Sequence, residues 1–209
     1  MSLAPRARAQ AIAAQGRRVG GGQHTLAVPL APRLAAKIAE RPWDAFLSDP
    51  TQLANGLTDF IEAVRPDGVA VTLPSILAED PGGVRRDTAL EATRRLRSTV
   101  GDHAVLVAVL PGADPGLVDQ IKLFLEAGVD GVVLAGDAEQ AVARTVGNVA
   151  RFHRAMAHVL GAGSCGLQGA ELVPLDAPVA KTGLVLTDGE VPETTTIPAV
   201  QDWILAVTG

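Results

Sequence analysis

The sequence predicts an α/β fold: a small or incomplete (β/α) TIM-type barrel, with an open doubly wound parallel sheet as the alternative. Three observations carry this. Candidate strands and helices alternate along the 209 residues. The strand segments are short, continuous and apolar, as expected of strands buried on both faces. One phrase occurs twice: Glu62-Ala63-Val64-Arg65-Pro66-Asp67-Gly68-Val69-Ala70-Val71 and Glu126-Ala127-Gly128-Val129-Asp130-Gly131-Val132-Val133-Leu134. Each copy reads as a helix end, a tight Asp-Gly entry and a strand. Their separation suits two βα units of about 30 residues each.

The elements follow in order. Thr25 to Leu30 is the first strand and Leu34 to Glu40 a short helix. Ser48-Asp49-Pro50 starts the next helix, a capping residue followed by a proline whose missing N–H costs nothing there. Leu53, Leu57, Phe60, Ile61 and Val64 share one face of that helix, which runs to about Ala63. Asp67 to Thr72 is the second strand. Thr88 and Glu91 form a capping box for a helix reaching Thr99, with Arg94, Arg95 and Arg97 on a solvated face. Ala104 to Leu110 is the third strand. Asp114-Pro115 caps a helix to Ala127, and Asp130 to Ala135 is the fourth strand. One long helix is expected from Ala138 to Leu160, with His153 on its apolar stripe and facing the core. Leu167 to Val173 and Gly183 to Leu186 are the fifth and sixth strands, and Ile197 to Val207 is the last helix. Six strands suit a small barrel, since a full one typically takes about 250 residues.

Residues 1–23 read as a basic N-terminal arm and 24–209 as a single barrel-like domain. The arm carries Arg6, Arg8, Arg17 and Arg18, and the first acidic residue is Glu40. It reads as a helical or irregular arm ending at Gly20-Gly21-Gly22, with a basic flap over an anionic ligand and a transit segment as the functional alternatives.

Composition narrows the function classes. The net charge is -5, aromatic residues make up 3% and tyrosine is absent, which argues against nucleic-acid binding. The single cysteine, Cys165, excludes an internal disulfide and suits a cytoplasmic location. No apolar run reaches 18 residues, so no membrane span is expected. Cys165 and four scattered histidines form no zinc-ligand pattern, so neither metal nor cofactor is expected. Gly161-Ala162-Gly163-Ser164-Cys165-Gly166 follows a predicted helix rather than a strand, unlike a phosphate-binding loop.

In either architecture, ligands bind at the carboxyl ends of the strands. That position also holds Asp114, and it nominates Arg33, Thr72, Ser75 and Asp137 for substrate binding. It makes Asp188 and Glu190, which follow the sixth strand, the best acid–base pair; otherwise they are solvated acids of an exit loop.

Two stretches together resemble the uroporphyrinogen decarboxylase superfamily. One is Arg33-Leu34-Ala35-Ala36-Lys37-Ile38-Ala39-Glu40-Arg41-Pro42-Trp43-Asp44, with Ser48-Asp49-Pro50 and Arg65-Pro66-Asp67-Gly68-Val69 after it. The other is Leu186-Thr187-Asp188-Gly189-Glu190-Val191-Pro192-Glu193-Thr194 before the final helix. The resemblance implies a distorted (β/α)8 barrel whose decarboxylases need no metal or cofactor. It also implies carboxylate-binding arginines, here Arg33 or Arg17 and Arg18. Ser75 stands where the family has its substrate-steadying Asp, and Asp188 where it has a His.

The expected function is binding or transformation of a small organic or tetrapyrrole-like acid at the barrel mouth, with lyase chemistry of the decarboxylase type. The alternatives are a non-catalytic binding or scaffold protein and a methyltransferase-like relative. The expected partners are a small anionic molecule and a second copy of the chain, because an incomplete barrel exposes strand edges that favour a homodimer.

Overall fold

The computed structural model describes residues 3–15, 24–80, 82–161, 163 and 166–209. Arg17, Arg18, the Gly20-Gly21-Gly22 run and Cys165 lie outside the described residues.

Seven parallel strands form a nearly closed barrel, which excludes the open doubly wound alternative. They are β1 (Thr25–Val28), β2 (Gly68–Thr72), β3 (Val105–Pro111), β4 (Gly131–Ala135), β5 (Met156–Leu160), β6 (Gln168–Val173) and β7 (Gly183–Thr187). Hydrogen-bonded neighbours run β1-β7-β6-β5-β4-β3-β2, and every pair is parallel. The helices are α1 (Pro5–Gln15), α2 (Pro32–Ile38), α3 (Trp43–Ser48), α4 (Pro50–Val64), α5 (Pro74–Ala78), α6 (Val84–Val100), α7 (Leu117–Ala127), α8 (Gln140–Phe152) and α9 (Ile197–Thr208).

Local chemistry explains most of these boundaries. Asp49 caps α4, its Oδ1 accepting from Thr51 N at 2.7 Å and Gln52 N at 3.2 Å. Thr196 caps α9 through Ala199 N. α6 starts four residues before the Thr88 box, and Thr88 is buried within it. α7 starts at Leu117, and Asp114 instead accepts Gly116 N at 2.6 Å inside the preceding turn.

The long helix expected from Ala138 to Leu160 is two elements. α8 stops at Phe152, the chain turns through Arg154 at φ 56, and Met156–Leu160 becomes β5. His153 is exposed at the end of α8 rather than in the core. The buried histidine is His158, 3% exposed, on β5. Ala, Met and Leu suit a helix as well as a strand, so local preference concealed the break.

Packing distinguishes the two faces of the wall. Ala27, Val173 and Val185 lie under Trp203 and Val207 of α9, so they point outward. Trp203 is fully buried, and its indole N–H donates to Val173 O at 3.2 Å. Strand alternation and register then turn Leu26, Leu184, Leu172, Met156 and Val133 to the inner face, together with His158 opposite Val133.

The Asp-Gly repeats close the amino-terminal end of this barrel. Asp67 Oδ2 accepts Ala27 N at 2.9 Å and its own N donates to Ala27 O at 3.1 Å, which bridges the β1–β2 seam. Asp130 does the same to Leu106, at 2.9 and 2.8 Å. Both carboxylates also hold α1, through Arg8 on Asp67 and Arg6 on Asp130 at 2.9 Å. The following glycines permit close approach of the strands. A Cβ on Gly68 would overlap the Val105 carbonyl, and one on Gly131 would lie 3.0 Å from Met156 Cε.

Arg6 and Arg8 are therefore spent on the barrel's own acids, not on a ligand. Arg97, expected on the solvated face with Arg94 and Arg95, turns inward to Asp130 Oδ2 at 2.5 Å. The desolvated Asp130 carboxylate recruits the cation within reach.

Candidate ligand-binding site

At the opposite end, hydrogen bonds staple two loops together. Thr187 closes β7, and its Oγ1 accepts Leu30 N at 3.1 Å while donating to Gly189 O at 2.7 Å. Val191 N donates to Leu30 O at 2.7 Å. The loop after β1 and the loop after β7 are thereby one unit. Pro32 then starts α2 at once, with its fixed φ and no N–H to satisfy. This sets Arg33, in the first turn, against Glu190.

Arg33 Nε lies 3.5 Å from Glu190 Oε1. The guanidinium carbon sits 4.4 Å over the Trp43 ring, and Trp43 stacks on Phe46 with centroids 6.1 Å apart. The face and the Nε edge of Arg33 are thus occupied. Its two terminal nitrogens make no hydrogen bond among the described residues, and the side chain is 43% exposed. That free edge has the geometry to accept a carboxylate through two parallel hydrogen bonds.

A cavity of about 360 Å³ opens beside this edge, lined by Arg33, Lys37, Arg41, Trp43, Glu193 and Thr194 among others. Arg33, Lys37 and Arg41 recur every fourth residue, so they share one side of α2 and its exit. Lys37 Nζ donates to Glu193 O at 2.9 Å. The cavity therefore combines three cations, two acids (Glu40 and Glu193) and an aromatic wall, with the partly desolvated Glu190 carboxyl behind Arg33.

Glu190 is the least satisfied acid of the site. Its Oε1 is buried and accepts no hydrogen bond. Burial pushes its pKa above the usual glutamate range, and the attraction of Arg33 offsets this only in part. Such a carboxyl keeps its proton to a higher pH than a solvated one, as proton exchange with a bound acid requires.

The other nominated residues do not join this pair. Asp188 is exposed, and only its backbone is tied down, to Val173 O at 3.3 Å. Ser75 is exposed on α5, and Asp137 is exposed after β4. Thr72 ends β2 just past a register shift; it is 1% exposed and its Oγ1 has no hydrogen-bond partner. Of the six residues nominated in the sequence, the fold brings together Arg33 and Glu190. Lys37, Arg41 and Trp43 were not nominated, although the four-residue spacing from Arg33 signalled the first two. No group of three or more metal-ligating side chains occurs among the described residues.

No family model matches the chain, and no curated protein matches it closely enough to count. Solved structures do. A methyltransferase from Methanosarcina mazei superposes with a TM-score of 0.66 at 11% identity, over 98% of both chains. A protein described as a lyase/mutase from Burkholderia cenocepacia gives a TM-score of 0.49 at 15% identity, over 90% of this chain and 83% of the other. At such identities the first likeness is one of fold, and with the ring of parallel strands it defines the class: a small TIM-type barrel. No helix among the described residues is long and apolar enough to cross a membrane.

Proposed function

We propose that this barrel binds a small organic acid at the rim made by α2 and the β7 exit loop, and acts on it as a divergent relative of the uroporphyrinogen decarboxylases. The observation that carries the proposal is the Arg33 guanidinium, fixed between Trp43 and Glu190, with terminal nitrogens that make no hydrogen bond among the described residues and a cavity beside it where three cations outnumber two acids. Arg33 binds the carboxylate. Lys37 and Arg41 raise the local positive potential. Glu190, whose pKa burial raises, delivers or removes the proton of a decarboxylation-type step.

A second reading has support of its own. Ser75 in place of the resemblance's Asp, exposed on α5, favours a barrel that binds its acid without converting it. A homodimer remains part of either proposal, and light scattering measures it.

Titration calorimetry and carbon dioxide release, with small mono- and dicarboxylates and porphyrin carboxylates as probes, separate the two readings. Arg33→Ala is expected to lose binding of every active probe, and Glu190→Gln to bind normally but lose turnover. Binding without turnover in the unsubstituted chain selects the second reading. Undiminished binding by Arg33→Ala removes the rim from both.

A further inference from the structure

A second cavity, of about 330 Å³, lies between α8, the β5–β6 wall and α1. Its polar lining includes Arg144, Asn148 and Arg151 of α8, with Gln140, Gln168 and the buried His158. Ile12, Ala143, Ala150, Met156 and Leu167 supply apolar lining. Among the described residues no aspartate or glutamate borders it.

That charge balance is unusual in this molecule. Most arginines elsewhere pair with acids: Arg6, Arg8, Arg33, Arg85, Arg86, Arg94, Arg95 and Arg97 each have a carboxylate within 4.0 Å. Arg144 has no such partner among the described residues. Among the described residues Arg151 donates only to the neutral Asn148 amide, at 3.3 Å. The two lie seven positions apart, two helical turns, and so on one face of α8, with Asn148 between them.

The local architecture explains the opening. β6 begins at Gln168, level with His158 in the middle of β5 rather than with its start. The wall is therefore incomplete beside Met156 and Ala157. Gly147 keeps the helix side narrow and smooth: a Cβ there would lie 3.2 Å from Leu167 Cδ2. At the inner end, His158 Nδ1 faces Gly169 O at 3.4 Å. Burial lowers the imidazole's pKa, so the ring is neutral and adds a hydrogen-bonding group without adding charge.

We infer that this cavity is a second ligand site, distinct from the rim, for a small amphipathic anion whose carboxylate or phosphate head lies between Arg144 and Arg151 and whose apolar body runs in toward His158. The volume accommodates a short alkyl or single-ring body. Paired guanidiniums serve either head group.

Hexanoate, hexyl phosphate and inorganic phosphate are the probes, titrated into the whole chain by calorimetry while the His158 ring C–H signals are followed by NMR. Saturable binding of either hexyl anion, with movement of the His158 signals, is expected, and the stronger of the two identifies the head group. The Arg144→Ala/Arg151→Ala double variant removes exposed side chains and so leaves the core intact. It should weaken the binding read at the His158 signals about tenfold or more, whereas Arg33→Ala should leave the His158 response unchanged even where it removes a rim component from the calorimetric isotherm. Three results overturn the inference: no saturable binding of either hexyl anion, equal affinity in the double variant, or inorganic phosphate bound as tightly as hexyl phosphate.

Discussion

The two ends of the barrel use the same residue types to opposite effect. At the amino-terminal end, Asp67 and Asp130 each combine an arginine of α1 with a backbone N–H of a neighbouring strand, and Asp130 adds Arg97. At the carboxyl-terminal end, Glu190 meets one arginine at 3.5 Å and leaves Oε1 without a hydrogen bond, and Thr72 Oγ1 has none. A buried polar group with a full set of partners holds strands together. One without them costs stability in the free protein and is available to a ligand. One end is therefore built for closure, and the other carries the proposed binding site, the usual division in barrels of this type.

The largest test of that contrast is at the amino-terminal end, where both carboxylates are saturated although the buried Arg8 Nε has no partner among the described residues. Asp130→Ala removes the buried carboxylate that accepts from Arg97, Arg6 and the Leu106 N–H, leaving Arg97 only backbone carbonyls and Arg6 only the exposed Asp102, and should cost about 3–5 kcal/mol. Asp67→Ala opens the β1–β2 seam, at a cost of about 3 kcal/mol on the same ground. Urea unfolding measures both, and losses below about 1 kcal/mol would falsify the closure role.

Thr72→Val should have the opposite sign. It removes a buried hydroxyl that has no partner and keeps the shape of the side chain, so a gain of about 1 kcal/mol is expected. A loss of that size would mean that Oγ1 makes a bond in solution.

Glu190→Gln gives the smallest change near neutral pH, within about 0.5–1 kcal/mol. Its signature lies in the pH dependence. The folded carboxyl holds its proton above the pKa of the unfolded chain. As pH rises through the usual glutamate range, the unfolded chain ionises first and stability falls until the folded carboxyl ionises too. The glutamine variant should lack that decline. An identical pH profile in both proteins would place Glu190 in ordinary solvent and remove the contrast between the ends.

Legibility in the sequence followed physical locality. Asp49-Pro50, the short apolar strands and Ile197 onward are settled by near neighbours, through caps, alternation and fixed proline geometry, and their elements lie close to the expected bounds. β5 was not legible, because its start was set by a turn at Arg154 that no glycine or proline announces. His158 was missed with it. Arg33 and Glu190 were both nominated, but their pairing spans most of the chain and depends on the Thr187–Leu30 staple. Arg97 was misjudged because helical position alone cannot reveal an aspartate 33 residues away.

The sequence by itself determined the class of fold, since alternating helix and strand periods leave few ways to bury both faces of the strands. It also determined the repeated Asp-Gly joints that make the fold possible. The tertiary structure alone decided ring closure and which charges are already paired. It decided as well that Glu190 stands partly desolvated beside Arg33 and that Arg144 and Arg151 border a cavity with no acid among the described residues. Those are properties of distance and burial, and they exist only when residues far apart in the chain share one low-dielectric space.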